Sequence, residues 1–455
     1  MKGLSLQNIA RVTGGTLYGA DGVMDREVTQ ITSDSRKVTE DCLFVAIAGE
    51  RVDGHSFIPQ VMEAGALCSI GEKVPEPGCG PFIKVDSSLQ AVKDIAAFYL
   101  EELQIPVVGI SGSVGKTSTK EMVASVLKQK YRTLKTEGNF NNELGLPLTV
   151  FRLRDEDQIA VLEMGISDFG EMTRLARIAR PDTALITNIG TCHLEFLGDR
   201  DGVFRAKTEM LDFVRPEGHI VLNGDDDKLI RVKEHNGIRP VFYGLDPSND
   251  VYADEIENLG LKGMKCRIHL DAENFSVTIP MPGIHMVMNA LAGAAVGRIY
   301  GLSAEEIRRG IESIEPLQGR FHMIETERFL VIDDCYNASP ATMKGSLDVL
   351  STANGRKVAI LGDMGELGEN APEMHREVGR HAAMSGLDLL ICVGELSSHM
   401  AEAARQSGGP EVILEPDLTS LLSHLTGYVQ NGDNILVKAS HFMKFPEVVK
   451  KLTEM

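Results

Sequence analysis

A chain of 455 residues, 43% hydrophobic and 24% charged, has a globular composition and is too long for one core, so two to four domains are expected. A formal net charge of −19 excludes a broad nucleic-acid-binding face and an electrostatic anchor on anionic lipid. The seven cysteines are scattered without a C-x-x-C pair, which excludes a disulfide frame or zinc site and predicts reduced thiols in a cytoplasmic protein.

Residues 1–104 read as a small α/β unit. A short helix is predicted after Ser5, and a strand over 42–47. Polar stretches flank that strand: Ser33-Asp34-Ser35-Arg36 before it, and Gly49-Glu50-Arg51-Val52-Asp53-Gly54-His55 after it. Both fit solvated turns and ligand contacts equally well. Helical patterns over 57–64 and 89–102 follow, and Ile105-Pro106 marks a boundary. No apolar run has signal-peptide length or spans a bilayer, so no stable membrane insertion is expected.

Residues 105–316 open on the stretch that organises the chain. A β-branched run (Val107, Val108, Ile110) leads into Gly112-Ser113-Val114-Gly115-Lys116-Thr117, and an amphipathic helix follows. Strand, glycine loop, Lys-Thr and helix in that order form a phosphate cradle. Gly109 stands one residue too early to complete the usual spacing, which leaves a shorter G-x-x-G-K-T. Strand signals at 159–162, 184–187 and 220–222 alternate with helices at 172–180 and 202–214. That alternation predicts a mostly parallel sheet with helices on both faces. Residues 241–281 read as an antiparallel excursion at the sheet edge, and 287–299 as a buried helix.

Residues 317–455 repeat the α/β alternation, with strands at 329–332, 358–361, 389–393 and 435–437. Helices are predicted over 341–350, 371–383, 397–406 and 445–452. This is a doubly wound, Rossmann-like pattern, and it lacks the G-x-G-x-x-G turn a dinucleotide needs.

Ligands of open α/β sheets sit beyond the carboxyl ends of strands, so polar residues there carry the chemistry. Glu163 ends a strand where phosphate-loop enzymes often place a metal carboxylate; a solvated glutamate at a helix start is the alternative. His193 fits a metal ligand or a plain loop histidine, and a histidine ligand would let Mn²⁺ replace Mg²⁺. Asn139, Asn141 and Asn142 lie among glycines and fit either turns or a substrate's polar groups. Asp333-Asp334-Cys335-Tyr336-Asn337, Asp363 to Glu366, and Lys438-Ala439-Ser440-His441 are strand-end clusters. Each suits a helix cap, and together they suit a working face turned toward the phosphate loop.

These motifs, in this order and over the whole length, resemble the Mur ligase family. The stretches that carry the likeness are 112–118, Gly138-Asn139-Phe140-Asn141-Asn142, Glu163-Met164-Gly165, His193-Leu194-Glu195, Ala206-Lys207-Thr208-Glu209, Gly319-Arg320 and 333–340. Residues 361–368 are similar to the branch that adds D-alanyl-D-alanine to a UDP-N-acetylmuramoyl tripeptide. Residues 33–36 and 49–57 resemble a UDP-sugar-binding first domain. The resemblance implies ATP and Mg²⁺ as cofactors and two small-molecule substrates. A monomer is expected, and because three domains joined near residues 104 and 316 must converge on one site, the third is expected to close when ATP binds.

The resemblance also implies roles. Gly112, Ser113, Val114, Gly115, Lys116, Thr117 and Ser118 would hold the phosphates of ATP, with Asn289, Arg320, Asp333, Tyr336 and Asn337 around the nucleotide. Thr117, Glu163 and His193 would bind metal, joined by Lys207 as a carbamate; Lys116, Glu163, His193 and Lys207 would be catalytic. Ser35, Arg36, Arg51, Asn139, Asn141, Asn142, Asp334, Lys438 and Ser440 would face the substrates. Met286, Ser339 and His441 depart from the family's usual Asn, Asn and Arg. The branch that adds the third amino acid carries an Asp-Asn-Pro-Arg type motif, absent here. The first unit's likeness to a UDP-sugar domain weighs against a folate polyglutamylating ligase. A nucleotide switch without catalysis would not need Glu163, His193 and Lys207 together.

Overall fold

The computed structural model describes residues 1–49 and 52–455, so Arg51 lies outside the described residues. Strands gather into three sheets in chain order. The first contains β1 (Thr16–Tyr18), β2 (Ile31–Thr32), β3 (Leu43–Val45), β4 (Cys68–Gly71) and β5 (Phe82–Lys84) in the order β1-β5-β4-β3-β2. Only β1 runs antiparallel. The helix Leu6–Thr13 starts as expected: the Ser5 hydroxyl accepts the Asn8 N–H at 3.2 Å.

The helix Ser88–Leu103 ties this unit to the next. Its Ile95, Tyr99 and Leu100 share one hydrophobic cluster with Leu146, Leu175 and Met210 of the central unit. The buried Tyr99 hydroxyl donates to the Leu153 carbonyl at 2.8 Å. Ile105-Pro106 therefore separates two sheets without separating two cores.

The central sheet comprises β6 (Val107–Ser111), β7 (Thr133–Lys135), β8 (Ile159–Glu163), β9 (Thr183–Ile186), β10 (His219–Asn223), β11 (Val241–Gly244), β12 (Val251–Asn258), β13 (Met264–Leu270) and β14 (Glu273–Ile279). Its order is β14-β13-β12-β11-β10-β9-β6-β8-β7. Every residue of β6 is buried between β8 and β9, as a strand covered on both faces must be. Helices Lys116–Leu127 and Ile284–Ile299 cover one face, and Glu171–Ala179 the other.

The edge excursion differs from its expectation. β11 and β12 first extend the sheet in parallel, and only β13 and β14 turn antiparallel. The far end of β12 is exposed and acidic, so no apolar alternation marked it.

The third sheet runs β15-β16-β20-β17-β18-β19, with β15 (His322–Glu325), β16 (Leu330–Asp333), β17 (Lys357–Gly362), β18 (Leu389–Val393), β19 (Glu411–Glu415) and β20 (Asn434–Lys438). Only the β15–β16 pair is antiparallel. The edge strands β15 and β19 and the helix Leu418–Tyr428 were not marked in the sequence; both strands are half exposed.

Candidate active site

The loop after β6 is shaped by two glycines. Gly112 sits at φ 149°, and a Cβ there would lie 1.9 Å from Thr187 Oγ1. Gly115 caps the following helix at φ 84°. The first position has no room for a side chain, and the second holds a left-handed backbone that favours glycine. Gly109, by contrast, is a packing glycine: its Cβ would meet Met164 Cε at 2.3 Å. The first-turn N–H groups of the helix have no intrahelical acceptor and point to the loop's mouth, a ready site for phosphate. The Lys116 ammonium curls back onto the Gly112 and Ser113 carbonyls at 2.8 and 3.4 Å. Ser118 is half-buried in the same first turn.

A residue unmarked in the sequence braces this loop. Asn188 Oδ1 accepts the Val114 N–H at 3.0 Å, and its Nδ2 donates to the Val114 carbonyl at 2.9 Å. The Asn188 carbonyl accepts the Ser113 N–H at 3.0 Å.

Glu163, at the end of β8, is 2% exposed. Its Oε1 accepts from Thr117 Oγ1 at 3.2 Å and from Asn141 Nδ2 at 2.8 Å, while Oε2 is buried without a hydrogen bond among the described residues. The amide-rich stretch thereby divides. Asn141 enters the site, and Gly165 has no side chain because a Cβ there would meet the Asn141 amide at 2.9 Å. Asn142 instead accepts the Leu144 and Gly145 N–H groups at 3.2 and 2.8 Å and starts the helix Gly145–Val150. The Asn139 carbonyl accepts the Asn141 N–H at 2.7 Å.

His193, at φ 52°, lies 2.8 Å through Nδ1 from Glu366 Oε2 of the third unit, an ion-pair distance without hydrogen-bond alignment. Burial lowers its pKa; Glu366 opposes that shift, and Lys207 and Lys116 add to it. Lys207 is fully buried and its Nζ has no hydrogen-bond partner among the described residues. Burial, then the Lys116 charge, brings its pKa down from 10.5 to about 7.

The third unit reaches this face through Arg320. Its Nη2 donates to Thr117 Oγ1 at 3.3 Å, and its guanidinium lies 4.0 Å over the Tyr336 ring. The turn carrying it has Gly319 at φ 74° and Phe321 at φ 53°. Asp333 Oδ2 accepts the Gly319 N–H at 2.9 Å, and Asp334 Oδ1 the Phe321 N–H at 3.2 Å. Asp334 Oδ2 also takes Lys438 Nζ at 2.6 Å and Ser346 Oγ at 2.6 Å. Lys438 donates further to the Asn337 carbonyl at 3.1 Å, and Ser440 Oγ accepts the Gly365 N–H at 2.9 Å. Asp334, Lys438 and Ser440 thus bond within their own unit. Asp363 caps the helix Ser397–Gln406.

Asn289 Oδ1 accepts from Thr119 Oγ1 at 2.8 Å, and its Nδ2 points at Met286 Sδ at 3.3 Å. In the first unit, Ser35 begins a short 3-10 helix, and the exposed Arg36 lies over Asp34 with Nε and Nη2 each 2.9 Å from its carboxylate. That contact brings the Asp34 pKa down to about 2. No hydrogen bond among the described residues joins Ser35 or Arg36 to the Glu163 cluster.

A phosphate loop contacted by an arginine from a second α/β unit is the arrangement of a nucleotide-using group-transfer protein. The description "Mur ligase middle domain" matches residues 110–297, "Mur ligase, glutamate ligase domain" 319–441, and "Mur ligase family, catalytic domain" 27–108. The chain is 36% identical to the UDP-N-acetylmuramoyl-tripeptide--D-alanyl-D-alanine ligase of Bacillus subtilis (strain 168), covering 99% of this chain and 98% of that protein. The crystal structure of MurF from Acinetobacter baumannii superposes with a TM-score of 0.90 at 33% identity, covering 99% of both chains. That of the Thermotoga maritima MurF ligase in complex with ADP superposes at 0.83 with 29% identity, covering 93% of this chain and 97% of that one. The chain belongs to the Mur ligase family.

Proposed function

We propose that the protein uses ATP to join D-alanyl-D-alanine to the terminal carboxylate of a UDP-N-acetylmuramoyl tripeptide, a step in making peptidoglycan precursor. A carboxylate is a poor electrophile. Its oxygen attacks the γ-phosphorus of ATP, the bond from that phosphorus to the bridging oxygen breaks, and an acyl phosphate and ADP result. The dipeptide's free amine then attacks the carbonyl carbon, the carbon–oxygen bond to phosphate breaks, and the amine's proton is lost to solvent. Both steps depend on positioning and charge neutralisation.

The chain's own residues divide that work. The first-turn N–H groups and Lys116 bind the β- and γ-phosphates, Lys116 leaving the loop carbonyls to do so. Arg320 meets the transferring phosphoryl group from the opposite wall. The hydrogen-bond-free Glu163 Oε2 and the Thr117 hydroxyl are hard oxygen donors that suit Mg²⁺. Among the described residues no three His, Cys, Asp or Glu side chains gather as a complete metal site, so phosphate oxygens and water would fill the remaining positions. The bound ion would polarise the phosphoryl oxygens and neutralise their charge.

His193 would hold a second ion beside the acceptor carboxylate. Lys207, a buried amine near neutrality, is suited to add CO₂ and become an anionic carbamate there. Asn141 orients Glu163. Asp333, Asp334 and Lys438 shape the turn that aims Arg320.

What carries the reading is the convergence of Lys116, Thr117, Glu163, His193 and an unpartnered buried Lys207 on one cleft that Arg320 closes. The test is phosphate release from ATP. Release is expected only with both UDP-sugar tripeptide and D-alanyl-D-alanine, and turnover indifferent to them would favour a nucleotide switch. Offering UDP-sugar dipeptide with diaminopimelate or lysine separates the branch that adds the third amino acid.

A further inference from the structure

Lys120 stands one helical turn beyond Lys116, yet it is 1% exposed, on the side of its helix turned toward β8. A buried ammonium needs a partner. Its Nζ lies 3.1 Å from Glu121 Oε1 and 3.8 Å from Glu163 Oε2. The other Glu121 oxygen is held by Lys135. Glu163 receives both its side-chain hydrogen bonds on Oε1. Its free oxygen is therefore the one that faces Lys120.

We propose that Lys120 is a positioning residue for Glu163, placing a fixed positive charge beside Oε2 so that the divalent cation binds together with the nucleotide and not ahead of it. The inference rests on the reading of Glu163 as a metal ligand. An ion bound to Oε2 at about 2.1 Å would lie within about 6 Å of Nζ, where repulsion in a water-poor site is strong. Nucleotide phosphates bring the negative charge that offsets it. A pair serving stability alone would be complete with Glu121 and would not need Nζ to face the free oxygen of Glu163.

Mn²⁺ binding to the full chain, read from the loss of the free-ion EPR signal with and without ADP, tests this. Without ADP, Lys120→Met is expected to bind Mn²⁺ about tenfold more tightly than the parent, with a smaller gain in the presence of ADP. Lys120→Arg keeps the charge and should stay near the parent. Should Lys120→Met fail to fold, Lys120→Met combined with Glu121→Gln removes the pair without changing net charge and should show the same direction of effect. Folded variants whose nucleotide-free Mn²⁺ affinity is unchanged or weaker overturn the proposal. Glu163→Gln separates the two readings. If it leaves Mn²⁺ binding with ADP intact, the metal role of Glu163 fails and the Lys120 proposal with it. If it abolishes that binding while the Lys120 variants match the parent, only the Lys120 proposal fails.

Discussion

Arg320 of the third unit donates to the Thr117 hydroxyl of the phosphate loop at 3.3 Å, and that hydroxyl is 3.2 Å from Glu163 Oε1. One bond thus links the wall of the cleft to its floor at the atoms placed for phosphate and metal. Arg320→Ala is expected to lower kcat by about a hundredfold or more, the usual cost of losing a preorganised charge donor. Arg320→Lys should recover little of it, because an ammonium neither stacks flat on Tyr336 nor reaches with a planar fork. Steady-state rates of phosphate release measure both.

Lys207 makes the enzyme sensitive to pH in a defined direction. With a folded pKa of about 7, roughly half its amine is free at neutrality, and only free amine adds CO₂. Protein equilibrated with ¹³C-bicarbonate should show a carbamate resonance that Lys207→Met lacks. The resonance should fade as pH falls through about 7, and activity with it. Stability follows the same proton. The unfolded chain keeps it up to the ordinary value of 10.5, the folded chain only to about 7, so the unfolded state binds more protons between these values and stability rises with pH across them. Lys207→Met should flatten that rise in thermal melts and be the more stable protein near pH 7.

The phosphate loop was legible in the sequence because its backbone has no room for a side chain at 112 and favours glycine at 115, and its strand is buried on both faces. Glu163 was legible because it ends a buried apolar run, and the pairing of β6 with β8 sets that strand end beside the loop. Asn141 and Asn142 could not be told apart: both are turn amides, and the close approach of Gly165 decides which enters the site. Lys120 reads as an ordinary helix lysine until the helix is laid on β8. Asn188 likewise acquires its role from the adjacency of β9 and β6. The strands β12, β15 and β19 escaped notice because much of each is exposed, so burial imprinted no alternation on them.

The Asp334–Lys438 pair should matter to stability and activity together. Lys438→Met strands a carboxylate that is almost wholly buried, a change that costs about 3–5 kcal/mol. Asp334→Asn with Lys438→Met removes both charges and should cost clearly less by denaturant titration. The single variant should also lose activity beyond its loss of fold. Asp334 holds the Phe321 N–H and keeps that residue in its left-handed conformation, and with it the direction of Arg320.

Asn188 offers a test of the loop apart from the chemistry. Its amide uses both ends on Val114, accepting from the N–H and donating to the carbonyl, so the loop's shape is fixed before phosphate arrives. Asn188→Ala leaves both Val114 groups without this partner and should raise KM for ATP by about tenfold, roughly the worth of one to two net hydrogen bonds, with kcat changed less. Asn188→Asp keeps the acceptor but sets a carboxylate oxygen against the Val114 carbonyl and adds negative charge near the phosphates. It should therefore be the worse of the two, and the measured order of KM values distinguishes a brace that works by shape from one that only fills space.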